Sequence, residues 1–227
     1  MTFEYNSSTR QAYRDAEVAN EYDRSFRASL GWRTLRFRLI AHGEQKSVRN
    51  FLRRVPGRRV LDLPCGTGKL ANVFAAETPL VQAADISPEM LAVAKTNYAR
   101  AGLAHVHFWV CDAESVSRQF VPGAFDAIVC LRLMHRVPPE VRLRMLQSMA
   151  AVARYCIVSY AVDSSFHRWR RRVRSWLLRV PQQSICAASL KSIRAEIGQH
   201  FRIRASSWVA PLLSEEIIFL IEAPTGG

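Results

Sequence analysis

No run of about 18 apolar residues occurs anywhere in these 227 residues, so no segment reads as a membrane-crossing helix. The first residues, Met1-Thr2-Phe3-Glu4-Tyr5-Asn6, lack the basic-then-apolar pattern of a secretion signal, which predicts a cytoplasmic protein. Five cysteines (Cys65, Cys111, Cys130, Cys156 and Cys186) form no Cys-x-x-Cys pair, and three of them fall in predicted central strands. They read as buried reduced thiols rather than zinc ligands or disulfides, and no metal is predicted. Internal repeats and low-complexity tracts are missing. A phosphate-binding P-loop is excluded, because Gly68-Lys69 is followed by Leu70 instead of Ser or Thr and Leu63 stands where the first Gly is required. Acids are scarce, 19 against 32 Lys and Arg, for a net charge of +13. The imbalance is local: Arg24 to Leu61 holds eleven basic residues and one acid, Glu44, and Ser164 to Ala195 holds eight and none, leaving the remainder near −5.

What is present begins with Arg59-Val60-Leu61-Asp62-Leu63-Pro64-Cys65-Gly66-Thr67-Gly68, an apolar strand running into a glycine-bent loop. Gly66 and Gly68 allow a sharp turn and close approach of a ligand to backbone, and the helix that follows offers free N–H groups. Asp85 ends a second apolar segment, 80–84, and Asp112 closes a third strand-like run, Val106 to Cys111. Strands at 60–63, 80–84, 105–111, 125–131 and 155–161 alternate with helices at 67–76, 88–100 and 138–153. Ser87-Pro88 is a well-formed helix start. A helix at 189–199 and strands near 201–209 and 216–221 finish the chain. This succession predicts an α/β fold, a mostly parallel sheet with helices on both faces. Before it, Phe26, Leu30, Leu35 and Leu39 recur at helical spacing, and Val48, Phe51, Leu52 and Val55 form a second apolar stripe ended by Pro56-Gly57. The expected division is a helical cap over 1–58 and a main domain over 59–227.

Gly66-x-Gly68-x-x-Ala71 also fits a dinucleotide fingerprint, so NAD or FAD binding is an alternative. As a set, the residues from about Val60 to Val137 resemble the class I S-adenosylmethionine-dependent methyltransferases, especially the branch acting on ubiquinone and menaquinone precursors. The resemblance implies a loop from Asp62 to Gly68, with Pro64 and Cys65, around the methionine part of the cofactor. It further implies a Rossmann-like, doubly wound sheet of seven strands with a C-terminal antiparallel strand, Asp85 on the ribose, Ile86 beside the adenine, Met90 as a further cofactor contact, Asp112 and Ala113 at the adenine amine, and Cys130 and Leu131 at the tip of the fourth strand. Tyr22, in Asn20-Glu21-Tyr22-Asp23, resembles an N-terminal cofactor contact. Pro64 departs from the family, many of whose members have Gly there. An oxidoreductase reading lacks a Tyr-x-x-x-Lys pattern, and no Asn-Pro-Pro-Tyr-type motif marks a base-modifying enzyme. An RNA methyltransferase, or a non-catalytic protein that binds nucleic acid or a partner, remains the alternative function.

Between Phe166 and Val180 apolar residues follow helical spacing while arginines occupy the remaining surface. This cationic amphipathic helix, in an insert at about 163–181, suits a lid over the site or the headgroup boundary of an anionic inner membrane. The predicted acceptor is accordingly a small lipophilic or anionic molecule, touched by Arg132, His135, His167 and Trp169 and methylated at O, N or C. His135 follows the fourth strand, at the edge where parallel sheets bind ligands, and is the candidate general base.

Overall fold

The computed structural model describes residues 32–78, 80–178 and 186–224, without the side chains of 32–34, 167, 171 and 174–178. Tyr22 lies outside the described residues. The first element, α1 (Trp32–Leu52), buries Val48, Phe51 and Leu52 at its C-terminal end, and the chain after it buries Val55. Of the other expected stripe, Phe26 and Leu30 lie outside the described residues, and Leu35 and Leu39 are 48% and 46% exposed.

The alternating unit follows: β1 (Arg59–Asp62), α2 (Ala71–Glu77), β2 (Leu80–Asp85), α3 (Pro88–Arg100), β3 (Phe108–Val110), β4 (Phe125–Cys130), α4 (Pro139–Val152) and β5 (Ala153–Ala161). Short 3₁₀ turns at Ala113–Arg118 and Met134–Arg136 flank β4. Then come α5 (Ser165–Leu178), α6 (Leu190–Gly198), β6 (Arg202–Trp208) and β7 (Glu216–Glu222). The seven strands form one sheet in the order β3-β2-β1-β4-β5-β7-β6. All ladders from β3 to β5 are parallel, and β7 runs antiparallel to both β5 and β6.

The sequence explains these elements locally. Ser87 Oγ accepts the Met90 N–H at 3.1 Å, and Pro88 occupies the first helical position, where no donor is lost. The helix expected at 67–76 begins only at Ala71, because Gly66 (φ 52°) and Gly68 (φ 78°) carry the chain through left-handed turns first. The strand expected at 105–111 shrinks to three residues, since β3 is an edge and pairs only with Ala83 to Asp85. Cys111 therefore lies just past that edge, while Cys130 and Cys156 sit in β4 and β5; all three are buried, free thiols.

Apolar layers cover both faces. One packs Val141, Met145, Leu146 and Met149 of α4 with Ile193 and Ile197 of α6. The other packs Val48 and Phe51 of α1 with Val73 and Phe74 of α2 and Leu91 and Ala94 of α3. Strand order reverses between β1 and β4, which opens a crevice at their carboxyl ends, where open α/β sheets bind ligands. Among the described residues no helix is long and apolar enough to cross a membrane.

Candidate active site

A cleft of about 900 Å³, counting its open mouth, lies at that crevice. It is lined by Asp62, Pro64, Cys65, Gly66, Thr67, Lys69 and Leu70 from the loop after β1, Asp85, Ile86 and Met90 after β2, Leu131, Arg132, Leu133 and Arg136 after β4, and Glu44 from α1.

The loop is held from several sides. Gly66 N–H donates to Asp85 Oδ2 at 2.8 Å, Cys65 N–H to Ala84 O at 2.8 Å, and Asn97 Nδ2 to Thr67 O at 2.7 Å. From α1, Gln45 Nε2 reaches Lys69 O at 3.2 Å. A Cβ on Gly66 would meet no atom within 4 Å, so the backbone itself faces open space there. On Gly68 a Cβ would sit 3.0 Å from the Tyr98 ring, so this glycine serves packing against α3.

Two buried carboxyls face the cleft. Asp62 accepts the Tyr98 hydroxyl at 2.7 Å, and burial raises its pKa to about 8, opposed by that hydrogen bond and assisted by the nearby Asp85 charge. Burial also raises Asp85, while the N–H groups of Ser87, Gly66 and Ile86 pull it back. No Lys or Arg forms an ion pair with either of them among the described residues. A cation or a set of hydroxyl donors is what such acids are built to receive.

The opposite wall is basic. Arg132 has a positive φ (60°), its N–H donates to Ser159 Oγ at 2.7 Å, and its guanidinium grips Glu44 through Nε at 2.6 Å and Nη2 at 2.7 Å. A non-glycine residue held in this region marks a backbone over-determined by its surroundings. Behind it Glu216 is buried, and burial next to Glu44 pushes its carboxyl well above the ordinary range. His135 is largely buried and its Nδ1 has no hydrogen-bond partner; burial and the Arg132 charge push its pKa down to about 4.

Most of the expected residues converge on this cleft: Asp62, Pro64, Cys65, Gly66, Asp85, Ile86, Met90, Leu131 and Arg132 line it. Gly68, Asp112, Ala113, Cys130 and His135 are not in the lining. Asp112 follows β3 and accepts the Glu114 N–H at 3.0 Å, Ala113 and Cys130 are buried, and His135 backs the turn that bears Arg136. His167 and Trp169 lie on α5, with Trp169 61% exposed. Sequence reasoning missed Thr67, Lys69, Leu70, Leu133, Arg136 and Glu44 as lining residues. For Glu44 a signal existed: it is the lone acid in a strongly basic segment.

Residues 60–155 match the methyltransferase domain family. This stretch is similar to methyltransferase domains. The chain's fold is that of solved methyltransferases. Magnesium protoporphyrin IX methyltransferase from Synechocystis PCC 6803, solved with bound SAH, superposes with a TM-score of 0.76 at 20% identity over 95% of this chain and 98% of that one. Mitomycin 7-O-methyltransferase superposes at 0.65, with 13% identity over 96% of this chain and 61% of that one. In sequence, the chain is 34% identical over 84 residues to ubiquinone biosynthesis O-methyltransferase of Xanthomonas campestris pv. campestris, covering 37% of this chain and 34% of that protein. The corresponding protein of Xylella fastidiosa is 35% identical over 88 residues, covering 38% and 35%. The match thus spans about a third of these relatives' length.

Proposed function

We propose that this chain is an S-adenosylmethionine-dependent methyltransferase acting on a small acceptor at oxygen, nitrogen or carbon. The observation that carries the reading is the pair of buried carboxyls, Asp62 and Asp85, on a glycine-bent loop at the switch point of the sheet. Their surroundings fit the cofactor: the acids have no Lys or Arg ion pair among the described residues, and Gly66 leaves the space beside it open. Asp62 with Gly66 would hold its amino-acid portion, Asp85 its ribose, and Ile86 and Met90 its adenine, with Asp112 at the exocyclic amine. When bound, S-adenosylmethionine supplies a methyl group on a positively charged sulfur, a leaving group that is already activated. The chain's own contribution is alignment and exclusion of water by Leu70, Leu131 and Leu133. His135 is the candidate base. It is neutral at neutral pH, as a base must be, but its unpartnered Nδ1 is buried behind the lining, so the role requires the turn after β4 to move towards the acceptor. The N-terminal segment, of which α1 contributes Glu44, and the insert at 163–181 are the proposed cover of the acceptor end.

Incubating the chain with methyl-labelled S-adenosylmethionine and a cell extract tests the reading: label is expected in a low-molecular-weight product. Folded protein that binds neither S-adenosylmethionine nor S-adenosylhomocysteine in calorimetry defeats it. Binding without any transfer supports the rival, a non-catalytic binding protein. His135→Ala is expected to lose turnover, and full retention removes the base.

We also propose docking on an anionic membrane surface. Phe166 and Trp169 of α5 are 46% and 61% exposed, Leu212 is 77% exposed, and Leu35, Phe37 and Leu39 of α1 are exposed as well. Two arginines tie these elements together through one loop: Arg36 donates to Leu213 O at 2.9 Å, and Arg170 to Leu212 O at 2.9 Å. Arg170 turns towards the body, pairing with Glu215 at 3.2 Å, while the aromatics point outward, the orientation an interfacial helix needs. Flotation with phosphatidylglycerol-rich vesicles should carry the protein up, with far less in neutral vesicles or after Phe166→Ser plus Trp169→Ser. Equal flotation in all arms rejects docking, and binding to RNA that survives the double substitution favours the nucleic-acid alternative.

A further inference from the structure

Two consecutive residues of α1 reach opposite sides of the crevice. Glu44 meets the turn after β4, where its carboxylate accepts hydrogen bonds from Arg132 Nε at 2.6 Å and Nη2 at 2.7 Å. Gln45 meets the loop after β1, donating from Nε2 to Lys69 O at 3.2 Å. These are the two walls that part where strand order reverses between β1 and β4, and Glu44, Lys69 and Arg132 all line the cleft between them. Beyond the crevice the same helix is seated on the sheet: Ser47 Oγ lies 2.9 Å from Ser207 Oγ of β6, and Val48, Phe51 and Leu52 are buried.

The hold on Arg132 is kept at a conformational cost. Its φ of 60° lies in the region that glycine occupies freely and a residue with a Cβ does not, and its N–H is fixed on Ser159 Oγ of β5 at 2.7 Å. Glycine would make the same turn without that cost, so the turn alone gives no reason for an arginine. What the arginine adds is a two-pronged grip on a helix 88 positions away in sequence. Glu44 is 5% exposed, and an ion pair withdrawn from water contributes little net stability; its best-attested use is to specify one arrangement over others. The arrangement specified here is the position of α1 across the mouth of the cleft. We infer that α1 is a strap, fastened to the turn after β4 by Glu44 and Arg132 and to the glycine loop by Gln45, which lifts for the cofactor to pass and holds it once bound. Glu44, Gln45 and Arg132 are thus positioning residues, and the strap restricts entry and exit alike. The inference rests on the methyltransferase reading for the identity of the ligand.

Surface plasmon resonance on the immobilised full chain, with S-adenosylhomocysteine as the probe, gives both rates. Gln45→Ala, at a residue outside the cleft lining, is expected to quicken association as well as dissociation, the latter by at least about fivefold, the low end of the usual coupling between two sites. Glu44→Gln combined with Arg132→Gly opens the other fastening without leaving an unpaired buried charge, and should quicken both rates as well. Because one open end lets the strap lift, the three substitutions together should give rates close to the faster of these two cases rather than their product. Should the double substitution fail to fold, Gln45→Ala decides alone. Unchanged rates in either variant, or effects that multiply, overturn the inference. Dissociation that quickens while association stays the same or slows also overturns it, and marks these side chains as ligand contacts instead. A folded, unsubstituted chain that takes up no S-adenosylhomocysteine defeats the proposed function and the strap with it, a failure distinct from changed or unchanged rates in a chain that binds.

Discussion

Gly66 and Gly68 serve different ends within one bend. Both have positive φ, but only at Gly68 would a side chain also meet atoms: the Tyr98 ring at 3.0 and 3.1 Å and Ala94 Cα at 3.3 Å. Gly66→Ala should therefore cost only the conformational penalty, about 1–2 kcal/mol, whereas Gly68→Ala adds overpacking of about 1–3 kcal/mol. Urea denaturation of the two variants should place Gly68→Ala below Gly66→Ala, and the reverse order would mean that Tyr98 yields freely. Residues of this kind are legible because their signals are local: a strand tip, a glycine, an acid at a strand end. The basic wall was only partly legible. Glu44, Arg132 and Glu216 come from widely separated parts of the chain, and no spacing rule joins them; their proximity follows from how α1 docks against the sheet near β7. His135 was legible as a position after a strand, but its neutral state depends on burial and on Arg132, which only the packing supplies.

At the scale of elements, alternating apolar runs and turn residues were enough to foresee the succession of strands and helices, whereas the reversed last strand was expected from the family resemblance. Boundaries moved where neighbours intervened, as at Ala71, where two left-handed glycines delay the helix, and at β3, where an edge pairs with only one partner. The role of α4 was not legible, because it depends on one buried cation. Arg142, 2% exposed, binds Glu196 through Nε at 3.0 Å and Nη2 at 2.9 Å and also donates to Cys186 O at 3.1 Å, with weaker contacts to Met134 O and Val137 O. It thus joins the turn carrying His135 and Arg136 to α6, and Cys186 N–H donates to His135 O at 2.8 Å to close the clamp. Arg142→Met would leave a largely buried carboxylate and several carbonyls without their donor, a loss of about 3–5 kcal/mol. Arg144, one turn edge away, pairs with Glu114 while 53% exposed. Arg144→Met should then cost less than about 1 kcal/mol. Equal losses in chemical denaturation would show that Arg142 is not the clamp.

Over the whole molecule the buried ionisable groups divide by sign and set where the ligand-free chain is most stable. His135 has a folded pKa of about 4 against an ordinary 6.5, so the unfolded chain binds its proton first and stability falls as pH drops from 6.5 towards 4. Asp62 acts oppositely: at about 8 against 3.8, the folded chain holds a proton that the unfolded chain has released, and stability falls as pH rises through that interval. Asp85 and Glu216 are raised in the same direction. Asp126, Glu77 and Glu222 are lowered by exposed arginine partners, so they support the fold only above the carboxylate range and are weakened by solvent screening. The buried thiols, raised above an ordinary 9.0, enter only at higher pH. Between pH 6.5 and 8 the raised carboxyls outweigh the end of the His135 titration, and unfolding free energy from urea titrations should decline across that window. Asp62→Asn should flatten the decline, because the amide cannot ionise. S-adenosylhomocysteine, whose ammonium group stabilises the ionised carboxyl, should stabilise the unsubstituted chain more at pH 8 than at pH 6.5, with the difference shrinking in Asp62→Asn. A flat profile in the unsubstituted chain, or an equal slope in Asp62→Asn, would show that Asp62 is ionised before any ligand arrives and that the acid end of the cleft stands ready as a fixed negative charge.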